Sequence, residues 1–272
     1  MSLKIFLGRG LALALFVVSA AAGPYDVSIE TPEVDDPLIL QGDWLPPRAP
    51  GLPVLIGLHG LGSSREEWRP LVEAAARRGW GAYIYDARGH GRSRATLSGQ
   101  AMDHEEKRFG RNPAFWRAMP EDLRRVVANL ETQKGVTAKQ RVLTGASLGA
   151  NACLLAAGNG VECAGLVLLS PGIEYAGLNV EDVMGRLAAP ALIVSAKPDL
   201  YAHTSSERLL SLSARPGFVS WKALEKGTPR GAHGTQLFDG PLEEQILDWV
   251  AGATHQPPVR RSAPTSRPKP KR

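Results

Sequence analysis

A serine stands in "GASLG", Gly145 to Gly149, where a run with strand character, "RVLTG", meets one with helical character, "LGANACLLAAG". A serine held on so tight a bend leaves no room for side chains two residues before or after it, which the two glycines satisfy. The bend lifts the Ser147 hydroxyl above the C-terminal edge of a sheet, where open α/β sheets bind ligands. It also aims the Leu148 N–H, at a helix start, toward a developing oxyanion. The competing role for Ser147 is that of an ordinary helix cap, so its partners decide.

A serine hydroxyl becomes a nucleophile only when a base takes its proton and a third group orients that base. "PALIVSAKPD" places Asp199 just past a strand, at the same sheet edge, and "GAHG" places His233 in a glycine-flanked loop after the last strand. Glu174 in "SPGIEYAG" is the rival for the acid. Among the other histidines, His59 and His90 sit in turn motifs, where structural hydrogen bonds are expected. His104 falls in a polar stretch, His203 starts a helix, and His255 lies near the C-terminus. A second oxyanion donor is expected in "GLHGLGSS", from the N–H of Leu61. There Gly60 and Gly62 would let backbone approach a ligand.

These residues need elements to carry them. The pattern alternates: strands "PVLIGLHG", "GAYIYD", "QRVLTG", "AGLVLLSP", "PALIVSAK" and "FVSWKAL" are interleaved with helical runs. The runs include "SREEWRPLVEAAARRG", "PEDLRRVVANLE", "LGANACLLAAG", "NVEDVMGRL", "SSERLLSLSA" and "GPLEEQILDWVAGA". Ser64 with Glu67, and Thr204 with Glu207, have capping-box spacing, and Pro120 suits a first helical turn. Such alternation demands a mostly parallel sheet covered on both faces by helices. Two further extended segments, "YDVSIET" and "PLILQGDWLP", can add an antiparallel edge. The total is about eight strands in one α/β domain.

The ends are different. Lys4 and Arg9, an apolar stretch from Leu11 to Ala22 and the exit "SAAAG" have the layout of a secretory signal peptide cut after Ala22. The apolar run is short of the roughly 20 residues of a spanning helix. Residues 254–272 are proline-rich, carry Arg260, Arg261, Arg267, Lys269, Lys271 and Arg272 and have no acid. A disordered tail is expected there, able to contact anionic surfaces. The chain's net charge of +5 therefore belongs to the tail rather than to a basic face, and nucleic-acid binding is not expected. The domain spans 23–253, the protein works outside the cytoplasm, and no metal or organic cofactor is expected. Cys153 and Cys163 could bridge in an oxidising compartment. Their places in a helix and before a strand favour two unpaired thiols.

On "LHGLG", "DARGHGRS", "GASLGA", "SAKPD" and "GAHG", the chain from Tyr25 to Ala253 resembles the α/β-hydrolase superfamily. The order Ser147, Asp199, His233 along the chain is that of this superfamily. The resemblance implies a structural role for Asp86 and the "GHGRS" turn. It also implies no large cap domain, since "GIEYAGLNVEDVMGRLA" is too short for one. The layout is closest to dienelactone-hydrolase-like and small carboxylesterase-like members, although dienelactone hydrolases proper use cysteine where this chain has serine. The implied activity is hydrolysis of a carboxylic ester through an acyl-enzyme. A peptidase or thioesterase on the same machinery, or a non-catalytic binding protein, are the alternatives. Phe109, Phe115 and Trp116, in the longest unassigned segment, either wall a substrate pocket or pack that segment down.

Overall fold

The computed structural model describes residues 25–30, 36–103, 113–225 and 231–254. The expected leader, His104, Phe109, His255 and the basic tail lie outside the described residues. Thr254, which the sequence reading gave to the tail, is the last residue of the final helix.

The strands are β1 (Tyr25–Glu30), β2 (Ile39–Leu45), β3 (Val54–Leu58), β4 (Gly81–Tyr85), β5 (Arg141–Ala146) and β6 (Gly165–Leu169). They continue with β7 (Glu174–Tyr175), β8 (Leu178–Asn179), β9 (Ala191–Ala196) and β10 (Val219–Leu224). The helices are α1 (Arg69–Arg77), α2 (Pro113–Arg117), α3 (Met119–Lys134) and α4 (Leu148–Gly158), then α5 (Glu181–Met184), α6 (Leu200–Ser211) and α7 (Pro241–Thr254). Eight strands form one sheet in the order β1-β2-β4-β3-β5-β6-β9-β10. β2 runs antiparallel to both β1 and β4, and the remaining pairs are parallel.

The central strands are apolar along their whole length because both faces are covered. Along β3, Val54, Ile56 and Leu58 enter the core shared with α3 and α4, while Leu55 enters the core under α1 and α7. β6 alternates in the same way, with Leu166 and Leu168 on one side and Val167 and Leu169 on the other. α3 has Pro120 in its first turn and ends at Gly135, whose φ of 68° is the left-handed conformation of a helix stop.

Both capping boxes fail. Ser64 precedes a 3-10 turn, Arg65–Trp68, and its side chain caps nothing. α6 begins earlier than the pattern suggested, because Asp199 at the end of the strand connection accepts the Ala202 N–H at 3.3 Å and starts the helix. Thr204 then falls inside the helix, its hydroxyl bonded back to the Leu200 carbonyl. The segment after β6 forms a small hairpin, β7–β8, which the sequence reading did not foresee.

The turn after β4 is structural, as the resemblance implied. The Asp86 carboxylate pairs with the Arg65 guanidinium and accepts the N–H groups of Arg65 and Arg92, each at 2.9 Å. Arg88 makes a bidentate pair with Asp122 of α3, both contacts at 2.6 Å. Phe115 and Trp116 are buried, Phe115 under the Arg88 guanidinium and Trp116 edge-on to His90. They pack the segment down. Cys153 and Cys163 are both free thiols, and burial pushes the Cys163 thiol up to about 12. Among the described residues, no helix is long and apolar enough to cross a membrane.

Candidate active site

The end of β5 turns into α4 at Ser147, whose φ of 52° and ψ of −119° are unusual for any residue with a side chain. Such a conformation costs about 1–3 kcal/mol and persists only where the surroundings force it. Here they do. A Cβ on Gly149 would lie 2.1 Å from the Leu58 carbonyl oxygen, and one on Gly145 would lie 2.5 Å from the Gly149 carbonyl oxygen. Neither position can hold a larger residue without unbending the turn. The Ser147 side chain caps no helix N–H, so the helix-cap role fails, and its own N–H is tied to the Leu169 carbonyl at 2.8 Å.

His233 is fixed from the same strand exit. The next residue, Gly234, donates its N–H to the buried Ser170 Oγ at 2.9 Å. A Cβ on Gly234 would stand 3.5 Å from Ala146 Cβ. Leu169 and Ser170, adjacent at the end of β6, thus hold the serine bend and the histidine loop side by side. His233 Nδ1 lies 2.5 Å from Asp199 Oδ2. A carboxylate only accepts, so Nδ1 carries a proton toward Asp199, and Nε2 is the ring nitrogen turned from the carboxylate.

The structure brings Asp199 to His233. Glu174, the rival acid, is exposed on the hairpin, where its backbone N–H and carbonyl both bond the Tyr201 hydroxyl. The rival bases among the described residues lie against other partners. His59 donates from Nδ1 to the Gly60 carbonyl at 2.7 Å and accepts the Ala87 N–H at Nε2. His90 accepts the Gly62 N–H at 3.0 Å. His203 packs against Trp221.

The loop 59–63 meets the serine bend from the other side. Gly60 is the point of closest approach: a Cβ there would lie 3.3 Å from Ser147 Cβ. Its glycine admits the serine bend, and Gly62 holds a positive φ of 74°. The Gly60 carbonyl accepts from His59 Nδ1 and from the Ser63 N–H. Across a trans peptide the following N–H points the opposite way, so the Leu61 N–H is turned away from the His59 ring and left without that partner. The Leu148 N–H opens the first turn of α4, at the positive end of its dipole.

Three neighbours of this site were not legible as such. Tyr175 stands edge-on to the His233 ring, with centroids 6.2 Å apart, and its hydroxyl donates to the Ser170 carbonyl at 3.4 Å. Burial, and then the Asp199 charge, raise its phenol, which keeps it a neutral donor. It reaches the site on the β7–β8 hairpin, whose turn places Ala176 at φ 52° and Gly177 at φ 83°. "AG" is a weak hairpin signal beside Asn-Gly. Ser170 looked like the last residue of a strand. Glu67 looked like half of a helix cap, but its Oε1 accepts the Gly60 N–H at 3.1 Å. Among the described residues, no group of His, Cys, Asp and Glu is arranged to hold a metal ion.

Residues 51–208 match the model of the family described as serine aminopeptidase, S33. No curated protein matches the sequence significantly. Solved structures share the fold. An esterase of Pyrococcus furiosus superposes with a TM-score of 0.63 at 19% identity, covering 85% of this chain and 91% of its own. An acetyl xylan esterase from Paenibacillus sp. R4 gives 0.66 at 17%, covering 92% and 88%. The dienelactone hydrolase of Anabaena variabilis gives 0.59 at 20%, covering 85% and 96%.

Proposed function

The chain belongs to the serine aminopeptidase S33 family and is a hydrolase of the α/β-hydrolase superfamily, and from that premise we propose that it cleaves carboxylic esters through Ser147, His233 and Asp199. The observation that carries this reading is the pinning of the strained Ser147 bend and the His233 loop to adjacent residues, Leu169 and Ser170, with Asp199 Oδ2 on His233 Nδ1.

Ser147 attacks the ester carbonyl while His233 Nε2 takes its proton. Asp199 holds the tautomer and stabilises the imidazolium. The N–H groups of Leu61 and Leu148 receive the oxyanion, a contribution of about 3 kcal/mol for one such donor. His233 then protonates the departing alcohol, and water releases the acyl group by the same steps in reverse roles. The names of the similar structures, two of them esterases, favour an ester over an amide, and the family description keeps aminoacyl amides as the second reading. The leader-like residues 1–22 support export, and the positive charge of the C-terminal residues suits contact with anionic surfaces.

A fluorophosphonate probe is expected to label the native protein and not Ser147→Ala. Labelling that persists in the variant rejects Ser147, and no labelling of either favours a non-catalytic protein. A panel of p-nitrophenyl esters, acyl-CoA thioesters and aminoacyl anilides then assigns the acyl-transfer class.

A further inference from the structure

Two histidines to which the chemistry above gives no task stand between the loop 59–63 and the turn after β4. β3 and β4 are parallel neighbours with Leu58 opposite Tyr85, so loop and turn leave the sheet side by side. His59 in the loop donates from Nδ1 to the Gly60 carbonyl at 2.7 Å, and its Nε2 accepts the Ala87 N–H of the turn at 2.9 Å. His90 in the turn repeats the pattern in the other direction. Its Nδ1 donates to the Arg88 carbonyl, and its Nε2 accepts the Gly62 N–H of the loop, both at 3.0 Å. The two rings meet edge to face with centroids 4.9 Å apart, and each residue is 1% exposed.

These partners decide the protonation of both rings. A carbonyl only accepts and a backbone N–H only donates, so each Nδ1 carries a proton and each Nε2 a lone pair. Both imidazoles are therefore neutral and hold the same tautomer.

The bonds into the loop fall on either side of Leu61. The Gly60 carbonyl and the Leu61 N–H are two ends of one trans peptide, so the bond from His59 to the carbonyl turns that N–H the opposite way. The bond from the Gly62 N–H to His90 fixes the peptide that follows. Of the amides of residues 60–63, Gly60 donates to Glu67 Oε1, Gly62 to His90 and Ser63 to the Gly60 carbonyl. Among the described residues, none accepts from Leu61. Glycine at 60 and 62 does little to resist rotation of these peptides, so resistance comes from what the loop bonds.

We propose that His59 and His90 are positioning residues that hold the Leu61 N–H toward the substrate oxygen, His59 through the Gly60 carbonyl and His90 through the Gly62 N–H. The inference rests on the Ser147–His233–Asp199 reading with Leu61 as an oxyanion donor. Rotation of the Gly60–Leu61 peptide would set a carbonyl oxygen where the N–H belongs and repel the charge that develops in the transition state. One side of the loop is already closed by the serine bend, since a Cβ on Gly149 would strike the Leu58 and His59 carbonyl oxygens at 2.1 and 2.6 Å. The histidine pair closes the other side.

The test measures Tm, the rate of fluorophosphonate labelling, and kcat and KM on a p-nitrophenyl ester, for wild type and four variants. His90→Leu removes the acceptor for the Gly62 N–H, and His90→Gln returns an oxygen near the place of Nε2. His59→Leu removes the donor to the Gly60 carbonyl, and His59→Asn returns an N–H near the place of Nδ1. Each leucine variant is expected to lower kcat and the labelling rate about 10- to 100-fold with KM little changed, because the ester still binds while its developing charge loses an aligned donor. Each amide variant recovers most of that loss. A role in folding alone would make kcat follow Tm instead of the polar atom restored. A folded leucine variant with wild-type kcat overturns the inference, and so does an amide variant as slow as its folded leucine counterpart. Should a leucine variant fail to fold, its amide partner decides: kcat within about tenfold of wild type supports the inference, and a deeper loss overturns it. Wild-type protein that the probe does not label would overturn the reading on which the inference rests, a result separate from these.

Discussion

Asp199 divides its two oxygens between a helix and a histidine. Oδ1 accepts the Ala202 N–H and opens α6, while Oδ2 faces His233 Nδ1. The helix start is what aims the second oxygen: the residue is locked at the N-cap, so its carboxylate cannot rotate away from the imidazole. The two tasks come apart under substitution. Asn is as good an N-cap as Asp, but its amide can present an N–H to Nδ1 and favour the wrong tautomer. Asp199→Asn is therefore expected to keep its Tm within a few degrees. Its kcat falls by about three to four orders of magnitude, as steady-state kinetics and a thermal melt would show. Retained activity would return the acid role to Glu174.

The β7–β8 hairpin is the element that most alters the site beyond the pattern common to open α/β sheets. It is two residues per strand, too short to be stable alone. Asn151, fully buried on α4, supplies what the ladder lacks. Its Nδ2 donates to the Leu178 carbonyl at 2.8 Å, and its Oδ1 accepts the Gly172 N–H at 3.1 Å. The Tyr201 hydroxyl bonds both backbone groups of Glu174 from the other side. Asn151→Ala leaves two buried backbone groups unsatisfied and is expected to cost about 2–4 kcal/mol in urea unfolding. It also loosens Tyr175 from the His233 ring, so activity falls in the fraction that remains folded.

Across the whole molecule, the turn after β4 is braced against α3 by a buried ion pair. Arg88, just past β4, clamps Asp122 near the start of α3, both side chains almost wholly buried. Charges so buried are expensive to leave single and cheap to replace together. Asp122→Ala is expected to destabilise the protein by about 3–5 kcal/mol. The double variant Arg88→Met with Asp122→Leu should recover most of that loss, as chemical denaturation would show. Equal losses in single and double variants would mean that the pair's hydrogen-bond geometry, rather than its uncompensated charge, holds the turn to α3.

The eight-strand sheet, its helices and the serine bend were legible along the chain because each is written in local chemistry. Apolar runs specify strands buried on both faces, and Gly145 and Gly149 specify a turn with no room. Asp199 and His233 were legible for a related reason: each lies in the connection that leaves the end of a parallel strand, and parallel strands deliver their ends to one edge. What the chain does not write locally is contact between segments far apart in sequence. Ser170 reads as part of a strand until the fold brings Gly234 to it, and Tyr175 reads as a loop aromatic until Asn151 and Tyr201 hold its hairpin beside the His233 ring. The nearest hydrogen-bond partner of a side chain is set by packing, and packing exists only once the sheet has closed.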